Sequence, residues 1–265
     1  MSRLAANLSL MFTEWPFLER FDVAAACGFK GVEYLSPYDI PPQELARKLK
    51  DAGLQQVLFN LSPGDKEAGE RGLAALPGRQ AEFRETLQRA LEYAAILECP
   101  QLHVMAGIPN ADEPPALCRE VYLDNLRYAS EEAAKAGCRL LIEPINQRDM
   151  PGYYLSLQED AMTLLSEVDA DNLRLQFDLY HCQIMQGDLE RRLRTQMPQI
   201  SHIQVAGVPE RHEPSVGEVN YPYLFSVMDE LGYDGWVGCE YHPLGGTLEG
   251  LDWAQAYGIS ASLPG

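Results

Sequence analysis

Eight short aliphatic or β-branched runs, separated by longer amphipathic segments, constrain this chain more than any other feature. They fall near residues 4–10, 31–34, 56–60, 101–105, 139–143, 173–178, 202–206 and 236–240. Short, nearly continuous apolar runs suit strands buried on both faces, and their alternation with helices is the pattern of a parallel sheet built from βα units. Eight such units predict an α/β fold, the (β/α)8 TIM barrel. With 265 residues the chain matches the roughly 250 that one barrel occupies, so residues 1–265 are expected to form a single domain.

The intervening segments carry their own signals. Residues 79–97 return Phe83, Leu87, Leu91 and Ala94 at helical spacing. Residues 114–137 also read as a helix, with Gly137 able to take the left-handed conformation that ends it. Ser156, followed three residues later by Glu159, predicts a capping box, and Ala161, Leu164, Leu165 and Val168 of the helix it opens would face the barrel. The longest irregular stretch, residues 61–77, contains Pro63, Gly64, Gly69 and Gly72. A loop of that length inside a compact domain is commonly a binding loop or lid, the plainer alternative being a surface excursion without a role.

Charge narrows the partners. A formal net charge of -18 repels phosphate backbones and anionic membranes, which argues against nucleic acid and membrane binding. No apolar run is long enough to span a bilayer, and the opening residues do not have the form of a secretory signal. The six cysteines are scattered without a C-x-x-C spacing, so a reduced, cytoplasmic protein is expected. A homo-oligomer is compatible with the sequence, which fixes no oligomeric state. An acidic molecule that binds a small carboxylate must hold it with locally placed cations.

Asn60, Glu143, Asp178, Gln204 and Glu240 each close or follow an apolar run. Strand ends converge at the mouth of a (β/α)8 barrel, where such proteins place their active sites. Burying Glu143 or Glu240 alone would be costly without a cation, a hydrogen-bond donor or a proton. Together with Asp178 and Gln204 they offer three carboxylates and an amide, oxygen donors suited to Mg2+ or Mn2+ rather than to zinc. The plainer alternative for each is a strand-end polar group bonded to a neighbouring loop. Glu33, closing the second run, stays outside this metal set. His181, Arg211 and His212 lie where they could neutralise a bound carboxylate, Arg211 with a two-pronged contact or else in an ordinary surface ion pair. His103 reads as a hydrogen-bonded barrel histidine, and Phe12, Trp15 and Tyr241 as site walls or simply core.

The segments ANLSLMF, FNLSPGDKEAGERGLAALPGR, LLIEPIN, FDLYH, HIQVAG, RHEP, GEVNYPYLF and GWVGCEY resemble the hydroxypyruvate isomerase family nearly end to end. That family belongs to the xylose-isomerase-like barrel superfamily. The resemblance implies interconversion of hydroxypyruvate and tartronate semialdehyde, or of a closely related oxo acid, with a catalytic glutamate pair landing on Glu143 and Glu240. By similarity to the ketose epimerases of the wider superfamily, Glu143, Asp178, Gln204 and Glu240 match metal-binding positions, and His181 and Arg211 match substrate-contacting ones. Gln204 departs from the histidine usual in those epimerases and agrees with the narrower isomerase family. HVMAG and AGVPERHEP resemble the 2-oxo-tetronate isomerase branch, whereas IEPIN is closer to the hydroxypyruvate branch, so the choice of sugar-acid substrate stays open.

Isomerising an α-hydroxy carbonyl moves a proton between adjacent carbons. One glutamate would remove it and the other return it, while a divalent cation offsets the charge of the enediolate. Three rival readings share parts of this pattern: a ketose 3-epimerase, a metal-dependent abasic-site endonuclease, and a non-catalytic sugar-acid binder.

Overall fold

The computed structural model describes residues 2–264. Its strands are β1 (Arg3–Asn7), β2 (Gly31–Tyr34), β3 (Gln55–Asn60), β4 (Gln101–His103), β5 (Arg139–Ile142), β6 (Leu173–Asp178), β7 (Ile200–Val205) and β8 (Trp236–Cys239). They pair in sequence order, all parallel, and β8 closes on β1. The helices are α1 (Arg20–Ala26), α2 (Pro42–Ala52), α3 (Gln80–Leu97), α4 (Pro115–Lys135), α5 (Gln158–Val168), α6 (Leu179–Met185), α7 (Leu189–Gln196) and α8 (Tyr221–Glu230). Two helices, α6 and α7, fill the connection after β6, and a 3-10 helix over Leu248–Tyr257 takes the last helical place. Among the described residues no helix is long and apolar enough to cross a membrane.

The eight expected runs are the eight strands, with bounds that matter for the site. The first stops at Asn7, because the chain turns there: the amides of Leu10 and Met11 both bond the Asn7 carbonyl. The fourth stops at His103, and the chain just beyond it pairs instead with the loop after β3 through an antiparallel bridge between Gly72 and Ala106. β5 and β8 end one residue short of Glu143 and Glu240, which leaves both carboxylates on the rim rather than in the ladder.

α3 buries Phe83, Leu87, Leu91 and Ala94 as the spacing predicts. Each large apolar side chain so buried contributes on the order of 1.5–3 kcal/mol. At the end of α4, Gly137 is left-handed, its amide bonds Ala134 and that of Cys138 bonds Ala133, a paired closure that satisfies two terminal carbonyls. The capping box at Ser156 is not formed. α5 begins at Gln158 with no side-chain cap from its own N-terminus. Instead Gln186 supplies the acceptor for the Gln158 amide, and Glu159 pairs with Gln186 and Arg192. Long-range partners thus took both roles that the local motif predicted. Ala161, Leu164 and Leu165 face inward as expected, while Val168 is only half-buried. All six cysteines are unpaired and buried.

Candidate active site

Oxygen atoms gather at the rim formed by β5 to β8. Glu143, Asp178, His181 and Glu240 are buried, and one potential ligand atom from each lies within 4.8 Å of all the others. Asp178 reaches this point because it caps α6: its Oδ1 accepts from the amides of Tyr180 at 2.7 Å and His181 at 3.4 Å. Among the described residues its Oδ2 has no hydrogen-bond partner, and neither has Oε1 of Glu143. Two orphaned, buried carboxylate oxygens in one cluster are the donor chemistry a hard divalent cation requires.

Burial, followed by the charges of Glu240 and Asp178, holds the Glu143 carboxyl well above its usual range. Burial also pushes Glu240 up to about 8 and Asp178 up to about 6, in both cases against the opposing pull of Arg211. Arg211 Nη2 donates to Glu240 at 2.9 Å and lies 3.9 Å from Asp178, with its guanidinium 5.0 Å from the Tyr180 ring centroid. Its backbone is left-handed, with φ of 60°, and is pinned by the Gly207 carbonyl and the His242 amide. A non-glycine residue in that conformation is strained by about 1–3 kcal/mol, a cost typical of side chains aimed into a site.

His181 is neutral, its pKa pressed well below the usual value by burial and then by Arg211. Its tautomer follows from its neighbour. Asn146 Oδ1 accepts from the Asp149 amide at 2.7 Å, so Nδ2 is the atom facing His181 Nδ1 at 2.7 Å. Nδ1 is therefore an acceptor and Nε2 carries the proton. Nε2 points at Asp178, 3.5 Å away, and at Glu143, 3.8 Å away, as a donor.

Gln204 sits on β7, buried, with its amide oriented from both ends. Nε2 donates to Glu33 at 2.9 Å, and Oε1 accepts from Gln176 at 2.6 Å. Glu33 is the hub of this network: it also meets His202 Nε2 at 2.6 Å and Asn7 Nδ2 at 3.0 Å, and Asn7 lies 3.4 Å from Glu240. His212 bonds the carbonyl of His242.

A cavity of about 450 Å3 opens onto this cluster, with Glu143, His181, Arg211 and Glu240 in its lining. The matching family model is the xylose isomerase-like TIM barrel, over residues 21–257. The chain belongs to that family. A curated relative from Cupriavidus necator, named 2-oxo-tetronate isomerase, is 58% identical over 97% of this chain and 99% of its own length. Hydroxypyruvate isomerase of Escherichia coli is 43% identical over 97% of this chain and 100% of its own. A solved structure from Brucella melitensis, named as an AP endonuclease of family 2, superposes with a TM-score of 0.95 at 52% identity, covering 97% of this chain and 99% of that one. With such relatives, this xylose isomerase-like barrel is an enzyme, an isomerase.

Three features of this family member escape sequence reasoning. His103 makes no hydrogen bond among the described residues: both ring nitrogens are buried, Nδ1 is 3.5 Å from Glu143, and the ring lines the cavity. Burial lowers its pKa to about 3, so it too is neutral. Asn146, in the IEPIN segment, sets the His181 tautomer, a role that only the fold reveals. Glu33 was legible as a strand-end carboxylate but not as the group that orients Gln204. Phe12 and Tyr241 are fully buried core residues, packed against Phe29 and Trp253, and neither they nor Trp15 line the cavity.

Proposed function

We propose that this enzyme interconverts 2-oxo-tetronate and its 3-oxo isomer by moving a proton between adjacent carbons, with Glu143 and Glu240 as the proton-transferring pair. The observation that carries the reaction is the buried carboxylate pair on one cavity. Both groups hold protons more tightly than ordinary glutamates, which suits residues that must exchange them near neutral pH. The relative at 58% identity favours the four-carbon acid. Hydroxypyruvate is the second reading, favoured by the relative at 43%.

Glu143, Asp178, Gln204 and Glu240 would hold a divalent cation, Mg2+ or Mn2+ by the hardness of their oxygens. The Gln204 oxygen would join through the lone pair that Gln176 leaves unused. A bound cation would supply positive charge against the oxyanion that develops on the substrate. His181, with its proton on Nε2, donates to substrate oxygen, and Arg211 contacts the reacting end while keeping Glu240 in place.

The deciding experiment incubates the metal-loaded protein in D2O with 2-oxo-tetronate, hydroxypyruvate or a neutral ketose and follows product and deuterium by NMR. Product from an oxo acid is expected. Turnover of the ketose alone would make the protein a 3-epimerase, and binding without exchange would make it a sugar-acid binder. Glu143→Gln and Glu240→Gln should each lower kcat by about 10²–10⁴-fold with the fold intact. Near-normal turnover in both would remove the pair from the mechanism. An abasic-site endonuclease is disfavoured by the net charge of -18, which opposes phosphate contacts.

A further inference from the structure

The cavity has two chemically different arcs. Because the strands close in sequence order, the residues that follow β2 and β3 face those that follow β6 and β7 across the barrel mouth, while β4 adjoins β5. The first arc carries Glu143, His181, Arg211 and Glu240. The second carries Asn60, His103 and, from the loop after β3, Lys66, Arg71 and Glu70, whose charge is offset by Arg79.

The cations on the cavity wall differ in what they are already doing. Arg211 is bonded to Glu240 and close to Asp178, so its charge serves the carboxylates of the first arc. Lys66 donates to Ser36 at 2.9 Å and lies 3.5 Å from Asp39. Arg71 makes one hydrogen bond, to the carbonyl of Glu70, and pairs with no carboxylate among the described residues. Beside it on the same arc, His103 is buried with neither ring nitrogen hydrogen-bonded among the described residues, its Nδ1 3.5 Å from Glu143, and the Asn60 side-chain amide lies 3.8 Å from the sulfur of Met105. Buried polar groups without partners are costly unless a ligand satisfies them. This arc is therefore built for a polar, negatively charged molecule.

Arg71 is also held in place. The next residue, Gly72, has φ of 116°, and a Cβ there would lie 2.3 Å from the Met105 carbonyl oxygen. Its amide bonds Pro63, and the chain continues into the bridge with Ala106. On its other side, the Glu70 carboxylate is clamped by Arg79 at 2.6 and 3.1 Å.

We infer that Arg71 is the specificity residue that binds the substrate carboxylate, with His103 and Asn60 presenting polar groups to the same ligand, and that this contact makes the enzyme select oxo acids over neutral ketoses. The inference rests on the oxo-acid reading above. Its test compares wild type, Arg71→Met and Arg71→Lys, all metal-loaded. Two quantities are read: KM and kcat for 2-oxo-tetronate, and the inhibition constant of erythrulose, in which a hydroxymethyl group stands where the acid has its carboxylate.

Loss of one charge-assisted, two-pronged contact should raise KM for the acid roughly ten- to a hundredfold in Arg71→Met, with kcat and the erythrulose constant little changed. Arg71→Lys should fall between, since it keeps the charge and loses the fork. Arg71 is exposed, so unfolding is not expected to obscure the result. If wild type prefers the acid and Arg71→Met keeps the wild-type KM, the assignment of Arg71 is wrong while the oxo-acid reading stands. If wild type turns over no oxo acid, or favours erythrulose, that reading fails and this inference with it.

Discussion

Glu33 and Gly238 show how a single missing methyl group can organise a site. A Cβ at Gly238 would lie 2.4 to 2.6 Å from the Glu33 carboxylate, so glycine on β8 leaves the space that Glu33 occupies. From there Glu33 takes hydrogen bonds from Asn7, Gln204 and His202. Gly238→Ala should therefore cost about 1–3 kcal/mol by overpacking, read as a lower urea midpoint with an unchanged slope. With Gln204 in the proposed metal set, it should also lower metal affinity, because Gln204 loses its orientation. Wild-type stability and affinity together would show that Glu33 is not held by this contact. Glu33 appeared in the sequence only as one polar residue closing an apolar run, and nothing local marked Gly238 as its counterpart. The two meet because β2 and β8 flank β1 in the closed barrel.

At the scale of elements, the loop over residues 61–77 is a braced wall rather than a slack connection. Asp65 Oδ1 accepts from the amides of Glu67 and Ala68, Glu70 accepts from the Asp65 amide, and Arg79 ties Glu70 to Glu82. Asn125 of α4 holds the Ala74 carbonyl at 2.8 Å. Arg79→Ala should speed amide exchange across residues 64–72 and raise KM for an acid substrate severalfold, because Arg71 would lose its fixed position. Exchange that stays at the wild-type rate would mean that the backbone bonds alone brace the loop. The glycines and length of this segment marked it as a binding loop, and it does line the cavity. Its bracing is not legible in the sequence, where Arg79 stands only at the start of a helical pattern. The missing capping box at Ser156 teaches the same lesson in reverse: a four-residue motif states what can pair locally, and Gln186 and Arg192 offered better partners from elsewhere.

For the whole molecule, the buried ionisable groups predict how stability changes with pH in metal-free protein. Glu143, Asp178 and Glu240 have folded pKa values raised by burial, so the folded state keeps protons that the unfolded state releases. Their contribution therefore falls as pH rises, from the unfolded value of 4.5 for a glutamate towards about 8 for Glu240. His181 and His103 are lowered instead, so their effect runs the other way and is complete above their unfolded value of 6.5. Between pH 6.5 and 8 only the carboxylate effect remains, and Tm should fall with pH in that interval. Saturating Mg2+ or Mn2+ should abolish or reverse the fall, because a cation stabilises the ionised carboxylates. Identical pH slopes with and without the cation would argue against a metal site at this cluster. The eightfold alternation of apolar runs and amphipathic segments determined the barrel, and the polar residues closing those runs marked its rim, because both are periodic patterns written along the chain. Only the tertiary structure decided that Arg211 serves Glu240, that His181 carries its proton on Nε2, and that among the described residues His103 has no hydrogen-bond partner and Arg71 no carboxylate. Those are distances between segments remote in sequence, set by strand register and loop packing, and no local pattern encodes them.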